Sequence, residues 1–234
     1  MNKNISLNMN SFKALIGIGA FLLFIVYLNS NYVLALLGIN INSLSFDARI
    51  IVAVILGLLF SALLVYIYRK TLKKDFADFI KNIKSYKKYI EFWAVAYVLM
   101  VASSFIITYF FPTAVANNQE TINDLFRLAP VYIIISSVFF APFIEEMIFR
   151  LSFRHMFNGN IFFITMSGLT FGAMHVFSSL QSFYDLLYII PYSIPGFFFA
   201  YTLVKSKNIF VPIGLHFIHN AFMVLLQVVL VSLV

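Results

Sequence analysis

The sequence contains no cysteine and little charge of either sign. Without cysteine, the chain cannot form disulfides, thiolate metal sites, iron–sulfur clusters or a cysteine nucleophile. Charged residues make up 11% of its 234 residues, 16 Lys or Arg and 9 Asp or Glu, whereas a globular domain usually has about 25%. Hydrophobic residues make up 62%. A soluble fold of this length could not cover that much apolar surface with so few charges, so the composition argues for a membrane protein.

Seven apolar runs are long enough to cross the hydrocarbon core of a bilayer, which takes roughly 20 residues. They are Phe12 to Ile39, Ile50 to Tyr68, Phe92 to Phe111, Ala129 to Phe157, Ile161 to Phe177, Tyr184 to Val204 and Ile209 to Val234. The segments between them are too short for a second domain. We therefore expect one all-α integral membrane domain over residues 1–234. Its helix bundle has about seven spans, within a range of six to eight because the last run could be divided in two.

The basic residues are divided unevenly between the two sides of the membrane that seven spans define. With the N-terminus inside, 14 of the 16 Lys and Arg lie in inner segments, and only Arg49 and Arg127 lie in outer ones. This distribution follows the positive-inside rule and predicts a cytoplasmic N-terminus in a multi-pass protein of the cell membrane. The net charge of +7 then reflects the excess of basic residues in the inner segments, and we expect no nucleic-acid partner.

Residues 69–91 place lysines among apolar residues at helical spacing. One interpretation is an amphipathic helix that lies on an anionic inner leaflet, which would make anionic lipid a partner of this segment. The other, which we favour, is a determinant of topology with no further role. Trp93 and Tyr97, just beyond, are typical of anchors at the membrane interface.

Function is sought where ionisable or amide side chains interrupt the apolar runs, because such residues are costly there and usually face a cavity or a partner. Counted at 1.5 Å per residue from the basic ends of the spans, these side chains lie at compatible depth in the inner half of the bilayer. That depth implies access from the cytosolic side or laterally from lipid. The residues are Glu145, Glu146 and Arg150 in the fourth run, His175 in the fifth, and His216 and Asn220 in the seventh.

Helical geometry separates the two adjacent glutamates. Glu146 and Arg150 are four residues apart on one face of the helix, where they can form an ion pair. Glu145 is rotated about 100° away from Glu146 and lacks that cation. We therefore predict that Glu145 is a base that activates water and that Glu146, with Arg150, supports it.

The histidines complete a set that can hydrolyse a peptide bond. His216 and Asn220 share one helix face, with His219 beside them. A carboxylate and an imidazole can deprotonate a water, while a second imidazole and an amide can donate hydrogen bonds to the oxyanion that forms when water attacks a carbonyl. Alternatively, Glu145, His175 and His216 could bind a divalent metal such as zinc. The His-Glu-x-x-His signature is absent, which favours hydrolysis without a cofactor.

Three motifs, in order on three apolar runs, resemble those of the CAAX protease and bacteriocin-processing (CPBP, or Abi) family: Glu145-Glu146-x-x-x-Arg150, Phe171-x-x-x-His175 and His216-x-x-x-Asn220. The region of resemblance is residues 129–227, which would be the catalytic core. The resemblance implies an all-helical intramembrane endopeptidase in which Glu145 and His175 activate water and His216 and Asn220 stabilise the oxyanion. The second glutamate and the arginine would be supporting residues. The implied substrate is a membrane-associated peptide or protein of the bacteriocin, pheromone or CAAX type, and bacterial members would act in the plasma membrane.

Two other classes of function compete with the endopeptidase. A haem-binding or proton-coupled transport protein could place His175 and His216 in a bundle interior. Neither role explains two adjacent glutamates paired with an arginine. A non-catalytic scaffold or immunity protein is the remaining alternative, and it would not depend on Glu145 or His175.

Overall fold

The computed structural model describes residues 9–232, with side chains described for residues 11–229. Within that range every regular element is a helix and there is no strand. Seven helices are long and apolar enough to cross a membrane, which confirms the predicted all-α, seven-span class. They are Ser11–Leu28, Phe46–Tyr86, Lys88–Phe110, Pro130–Met156, Asn160–Phe177, Phe183–Ser206 and Phe210–Val229.

The α-helices are numbered in chain order, and most of the predicted spans coincide with one of them. The last predicted span is one helix as far as Ser232, and residues 233–234 of that run lie outside the described range. The helices are α1 Met9–Leu28, α2 Ser30–Leu36, α3 Phe46–Tyr86, α4 Lys88–Phe110, α5 Asn117–Leu128, α6 Pro130–Ile135, α7 Ala141–Glu146, α8 Phe153–Met156, α9 Asn160–Phe177, α10 Ile189–Ser206 and α11 Phe210–Ser232.

Helix α3 includes most of the lysine-rich segment 69–91. It is one continuous helix of 41 residues, and α4 begins two residues after its end, at Lys88. No glycine or proline follows Gly57 within α3, so nothing in the sequence stops the helix at the end of the apolar run. At 1.5 Å per residue it is about 60 Å long, twice the roughly 30 Å of a hydrocarbon core, so its lysine-rich half extends the span beyond that core. Contact of this half with anionic lipid stays a prediction.

The fourth membrane helix, Pro130–Met156, contains two π-helical stretches. They are Ser136–Phe140 and Met147–Ser152, and they lie on either side of α7, which ends with the two glutamates. A π turn adds a residue to the helical turn, and such turns are rare and frequent at functional sites. The two stretches therefore change the rotation of the helix immediately before and after the glutamates.

Helices α9 and α10 pack very closely along a glycine. A Cβ atom on Gly172 would lie 2.7 Å from the backbone nitrogen of Ser193 and 2.8 Å from the carbonyl oxygen of Ile189. Only a residue without a side chain allows this approach. The contact sets the position of the last turn of α9, which carries His175 against the ring of Tyr192, with the two ring centroids 5.2 Å apart.

At one end of the bundle, the lysine-rich half of α3 is joined to the start of α11. The Asn208 amide donates to the backbone oxygen of Asp75 at 2.7 Å and to the Asp78 carboxylate at 2.9 Å. The Ile209 backbone N–H donates to the Asp75 carboxylate at 3.0 Å. Asp75 and Asn208 are both buried. These bonds fix the start of α11. Ile209, the residue just before this helix, is seven residues from His216.

At the other end, a buried carboxylate joins the segment before α5 to the loop before α10. Asp185 accepts hydrogen bonds from the Val115 N–H at 3.0 Å, the Asn117 amide at 2.9 Å and the Ser182 N–H at 2.8 Å. Asp185 is 2% exposed. This end of the bundle carries the C-termini of α4 and α9. The bonds of Asp185 therefore hold α5 at the end opposite the lysine-rich half of α3.

Candidate active site

A cavity of about 440 Å³ lies between the fourth membrane helix, α9, α10 and α11. Its lining includes the four residues predicted to be catalytic, Glu145, His175, His216 and Asn220. Residues from three separate helices, up to 75 positions apart in the sequence, therefore share one space. The supporting pair, Glu146 and Arg150, does not line the cavity.

Glu146 and Arg150 form an ion pair with no exposure to solvent. The Arg150 Nε atom lies 2.9 Å from Glu146 Oε2, and both side chains are 0% exposed. The guanidinium carbon lies over the rings of Phe171 and Phe199, 4.8 and 5.4 Å from their centroids. A buried charge requires a partner, and aromatic faces add to the stabilisation of a cation. The pair predicted from the spacing of four is thus the charged centre of the core.

His216 extends this pair toward the cavity. Its Nδ1 atom lies 2.9 Å from Glu146 Oε1, and its ring stacks on Phe199 with centroids 4.7 Å apart. The Glu146 carboxylate, which is paired with Arg150, can only accept a hydrogen bond. Nδ1 of the neutral His216 ring therefore carries the hydrogen, and Nε2 has the lone pair. Nε2 lies 3.8 Å from Glu145 Oε2. The contact of Glu146 with His216 has no signal in the sequence, because no local spacing relates residues on two different helices.

Glu145 differs from Glu146 in exposure and in partners. Its side chain is 19% exposed, against 0% for Glu146, and it lines the cavity. It has no ion pair with Arg150; its one basic neighbour within 4 Å among the described residues is the imidazole of His216. Of the two adjacent carboxylates, Glu145 is the one that a water or a substrate could reach.

His175 has its ring fixed by its own helix. Its Nδ1 atom lies 2.8 Å from the backbone oxygen of Phe171, one turn earlier. A carbonyl oxygen can only accept, so Nδ1 carries the hydrogen and Nε2 has the lone pair. The ring is held between Phe171 and Tyr192, with centroids 4.5 and 5.2 Å away. His175 can therefore accept a proton or a hydrogen bond from a water in the cavity.

Asn220 joins α11 to the fourth membrane helix. Its amide nitrogen donates to the backbone oxygen of Ser137 at 2.6 Å. Ser137 lies in the first π-helical stretch and is one of the residues that line the cavity. This bond uses one of the two amide hydrogens and leaves the other for a substrate.

His219 also lines the cavity, and its partner corrects one prediction about Trp93. The indole Nε1 atom of Trp93 donates to His219 Nδ1 at 3.2 Å, and the two rings meet edge to face. Trp93 is half-buried in this contact, so it packs in the bundle, whereas an interfacial anchor was expected. The sequence holds no signal for the pair, since 126 residues separate its members.

The cavity reaches toward the end of the bundle that carries α5. Its lining includes Asn118 and Ile122 from α5, the helix at the end of the bundle away from the lysine-rich half of α3. His175 lies near the same end, two residues before the end of α9. On the predicted orientation this is the outer end, whereas counting along each span places the site in the inner half. The depth of the site in the bilayer therefore stays a prediction, and it depends on the orientation of the bundle.

The metal alternative requires Glu145, His175 and His216 to converge on one point. Among the residues whose side chains are described, no three His, Asp or Glu residues are grouped so that they could hold a metal ion. The alternative ligand set of Glu145, His175 and His216 is therefore not gathered around one point. Removal of divalent metals remains the test of that alternative.

The part of the chain that carries these residues is similar to known proteins. Residues 127–222 match the family described as type II CAAX prenyl endopeptidase Rce1-like. The chain is 33% identical over 115 residues to a putative membrane peptidase, YdiL, of Bacillus subtilis, covering 48% of this chain and 43% of the relative. It is 31% identical over 161 residues to the membrane-embedded CAAX protease MroQ of Staphylococcus aureus, covering 62% of each. It thus spans less than two thirds of either relative. No solved structure gave a significant match.

Proposed function

We propose that this chain is a membrane protease of the CPBP family, an intramembrane endopeptidase that uses Glu145 to activate water. The observation that carries the proposal is the contrast between two neighbouring carboxylates. Glu146 is enclosed between Arg150 and His216, whereas Glu145 faces the cavity with a side chain that is 19% exposed. An ionisable group at membrane depth is costly, and one that faces a cavity without a cation is best explained by chemistry.

In the first step, a water held between Glu145 and Nε2 of His175 would lose a proton to the Glu145 carboxylate. Its oxygen would form a bond to the carbon of the scissile carbonyl, and the carbonyl π electrons would move to the oxygen. The product is a tetrahedral oxyanion. No residue forms a covalent bond to the substrate.

The oxyanion would be stabilised by donors on α11. Asn220 has one amide hydrogen left after its bond to Ser137, and His216 can donate from Nε2 when its ring is protonated. In the second step the C–N bond breaks, and the leaving nitrogen takes the proton that Glu145 holds. The products are a carboxylic acid and an amine, which become a carboxylate and an ammonium when the acid passes its proton to the amine, and Glu145 is again ready to act as a base.

Arg150 and Glu146 would act through His216. The arginine holds the glutamate, and the glutamate holds Nδ1 of the imidazole, so that Nε2 points to the reacting centre. This arrangement corresponds to the way in which a carboxylate orients a catalytic histidine in other hydrolases. The two residues are positioning residues, because neither reaches the cavity.

The substrate would be a short extended segment of a membrane-associated peptide or protein, of the bacteriocin, pheromone or CAAX type. A cavity of about 440 Å³ is in the range of small binding sites and cannot admit a folded chain. Its apolar and aromatic lining, with a few amides such as Asn118 and Gln119, suits an apolar peptide with backbone groups to bind.

The test compares wild type with Glu145→Gln for cleavage of membrane peptides in proteoliposomes. Loss of the base is expected to lower kcat by about 10²- to 10⁴-fold. Glu120→Gln, which changes an exposed glutamate on α5, is the matched control and should cleave normally. Undiminished cleavage by Glu145→Gln would overturn the proposal that Glu145 is the base, whereas absence of cleavage by the wild type would favour the scaffold alternative. Repeating wild type with a strong chelator separates the two mechanisms, since loss of activity would favour a metal.

A further inference from the structure

The proposed reaction needs hydrogen-bond donors in the cavity, and the residues first predicted for that role are partly engaged. The Nδ1 hydrogen of His216 is directed at Glu146, so Nε2 of the neutral ring can accept but not donate. Asn220 has given one amide hydrogen to Ser137. His216 and Asn220 together therefore offer one free N–H before the reaction begins, whereas an oxyanion usually has two or more donors.

His219 has the opposite arrangement of its ring nitrogens. Its Nδ1 atom lies 3.2 Å from the indole Nε1 of Trp93. An indole N–H is a donor and never an acceptor, so Nδ1 must supply a lone pair. A neutral imidazole has one hydrogen on nitrogen, and Trp93 thus places that hydrogen of His219 on Nε2.

The His219 ring lines the space that a substrate would occupy, and its Nε2 atom is the nitrogen that Trp93 does not contact. The ring lines the cavity, and within the described residues no protein acceptor is in hydrogen-bond contact with Nε2, nor is the atom sealed from the cavity. The ring is held in place by edge contacts with Trp93, Tyr97 and Phe199, whose centroids lie 6.3 to 6.4 Å away. Its centroid is 6.4 Å from that of His216.

We propose that His219 binds the oxygen of the scissile carbonyl of the peptide substrate, and of the oxyanion formed from it, through Nε2–H and that Trp93 fixes the tautomer that makes this possible. His219 is then a substrate-binding residue of the catalytic cavity, and Trp93 is its positioning residue. This inference rests on the proposed function only in its choice of a peptide as the ligand. The tautomer follows from the contact with Trp93 alone.

The tautomer is tested without substrate, by ¹⁵N NMR of protein with labelled histidine in detergent micelles. The chain has four histidines, and His219→Gln identifies the signals of His219 by their loss. We expect Nε2 protonated and Nδ1 unprotonated at His219, with the reverse at His175 and His216. Trp93→Phe should remove this preference at His219 and leave the other two unchanged. A hydrogen on Nδ1 of His219 in the wild type would overturn the inference.

Catalysis is tested with His219→Leu, His219→Gln and Trp93→Phe on a cleaved peptide. His219→Leu should lower kcat/KM by about 10²-fold, the loss typical of one donor to a developing oxyanion. Glutamine keeps an N–H and should recover most of the activity, whereas Trp93→Phe should fall between the two. Loss in His219→Leu without recovery in His219→Gln, at equal expression and thermal stability, would assign the ring a packing role and overturn the inference.

The two proposals fail in different ways. If Glu145→Gln abolishes cleavage and His219→Leu matches wild type, the role of His219 is wrong and the endopeptidase stands. If both variants cleave as wild type does, the endopeptidase mechanism itself is wrong. If His219→Leu does not fold, the NMR result and the comparison of His219→Gln with Trp93→Phe decide the inference.

Discussion

The Nδ1 atom of His216 lies 2.9 Å from Oε1 of Glu146, and the other oxygen of that carboxylate lies 2.9 Å from Nε of Arg150. One buried carboxylate therefore has two functions. It neutralises the arginine in the core, and it sets the ring nitrogen that His216 presents to Glu145. These two functions can be separated by mutation, because the first concerns stability and the second concerns activity.

Glu146→Gln should destabilise the protein strongly, since it leaves the buried charge of Arg150 without a counterion. Breaking such a pair costs about 3–5 kcal/mol. The double variant Glu146→Gln/Arg150→Met should regain much of that stability but not the activity, because His216 still lacks its carboxylate. Thermal unfolding in detergent and cleavage assays measure the two effects, with exposed Glu120→Gln as the control. Equal stability of Glu146→Gln and wild type would show that the carboxyl is already neutral in the core.

Asp75→Ala should weaken the start of α11. The substitution removes the acceptor of the Ile209 N–H and leaves that buried donor unpaired, at a cost of about 1–3 kcal/mol. Because α11 carries His216, kcat should fall together with the thermal midpoint. Lys73→Ala, an exposed change on the same helix, is the control and should alter neither. A lowered midpoint with unchanged kcat would mean that this junction stabilises the fold without positioning the site.

The site residues could be predicted from the sequence because each is a polar group in an apolar run. Glu145, His175, His216 and Asn220 stand out for that reason, and the spacing of four is enough to pair Glu146 with Arg150. The contacts of Trp93 with His219 could not be predicted in this way, since they depend on the packing of α4 against α11.

The remaining differences between prediction and structure have local causes. The continuation of α3 through 69–86 could have been recognised, because the segment has no glycine or proline to end a helix. The π-helical stretches have no comparable signature in the sequence; the first contains Ser137, whose backbone oxygen accepts a hydrogen bond from Asn220 on a distant helix. The depth of the cavity depends on α5, whose position is set by the bonds of Asp185 to residues about 70 positions earlier.

Gly172→Ala should separate α9 from α10. The added Cβ would meet the backbone of Ser193 at 2.7 Å, and backbone on both sides cannot yield without moving a helix. Overpacking of this kind costs about 1–3 kcal/mol, and it should lower kcat because His175 is one turn away. Gly19→Ala on α1 is the matched control, since nothing lies within 4 Å of its added Cβ. If Gly172→Ala has the thermal midpoint of wild type, the close approach of the two helices is not required.

The orientation of the bundle can be tested cleanly because the chain has no cysteine. Single cysteines at Lys73→Cys and Asp124→Cys would lie on exposed positions at opposite ends, on α3 and on α5. The positive-inside rule predicts that an impermeant thiol reagent labels Asp124→Cys in intact cells and labels Lys73→Cys only after permeabilisation. The reverse labelling pattern would show that the bundle has the opposite orientation in the membrane. Since the cavity is lined by residues of α5, the same labelling decides the side from which a peptide reaches Glu145: the outer side if the prediction holds, and the cytosol if it does not.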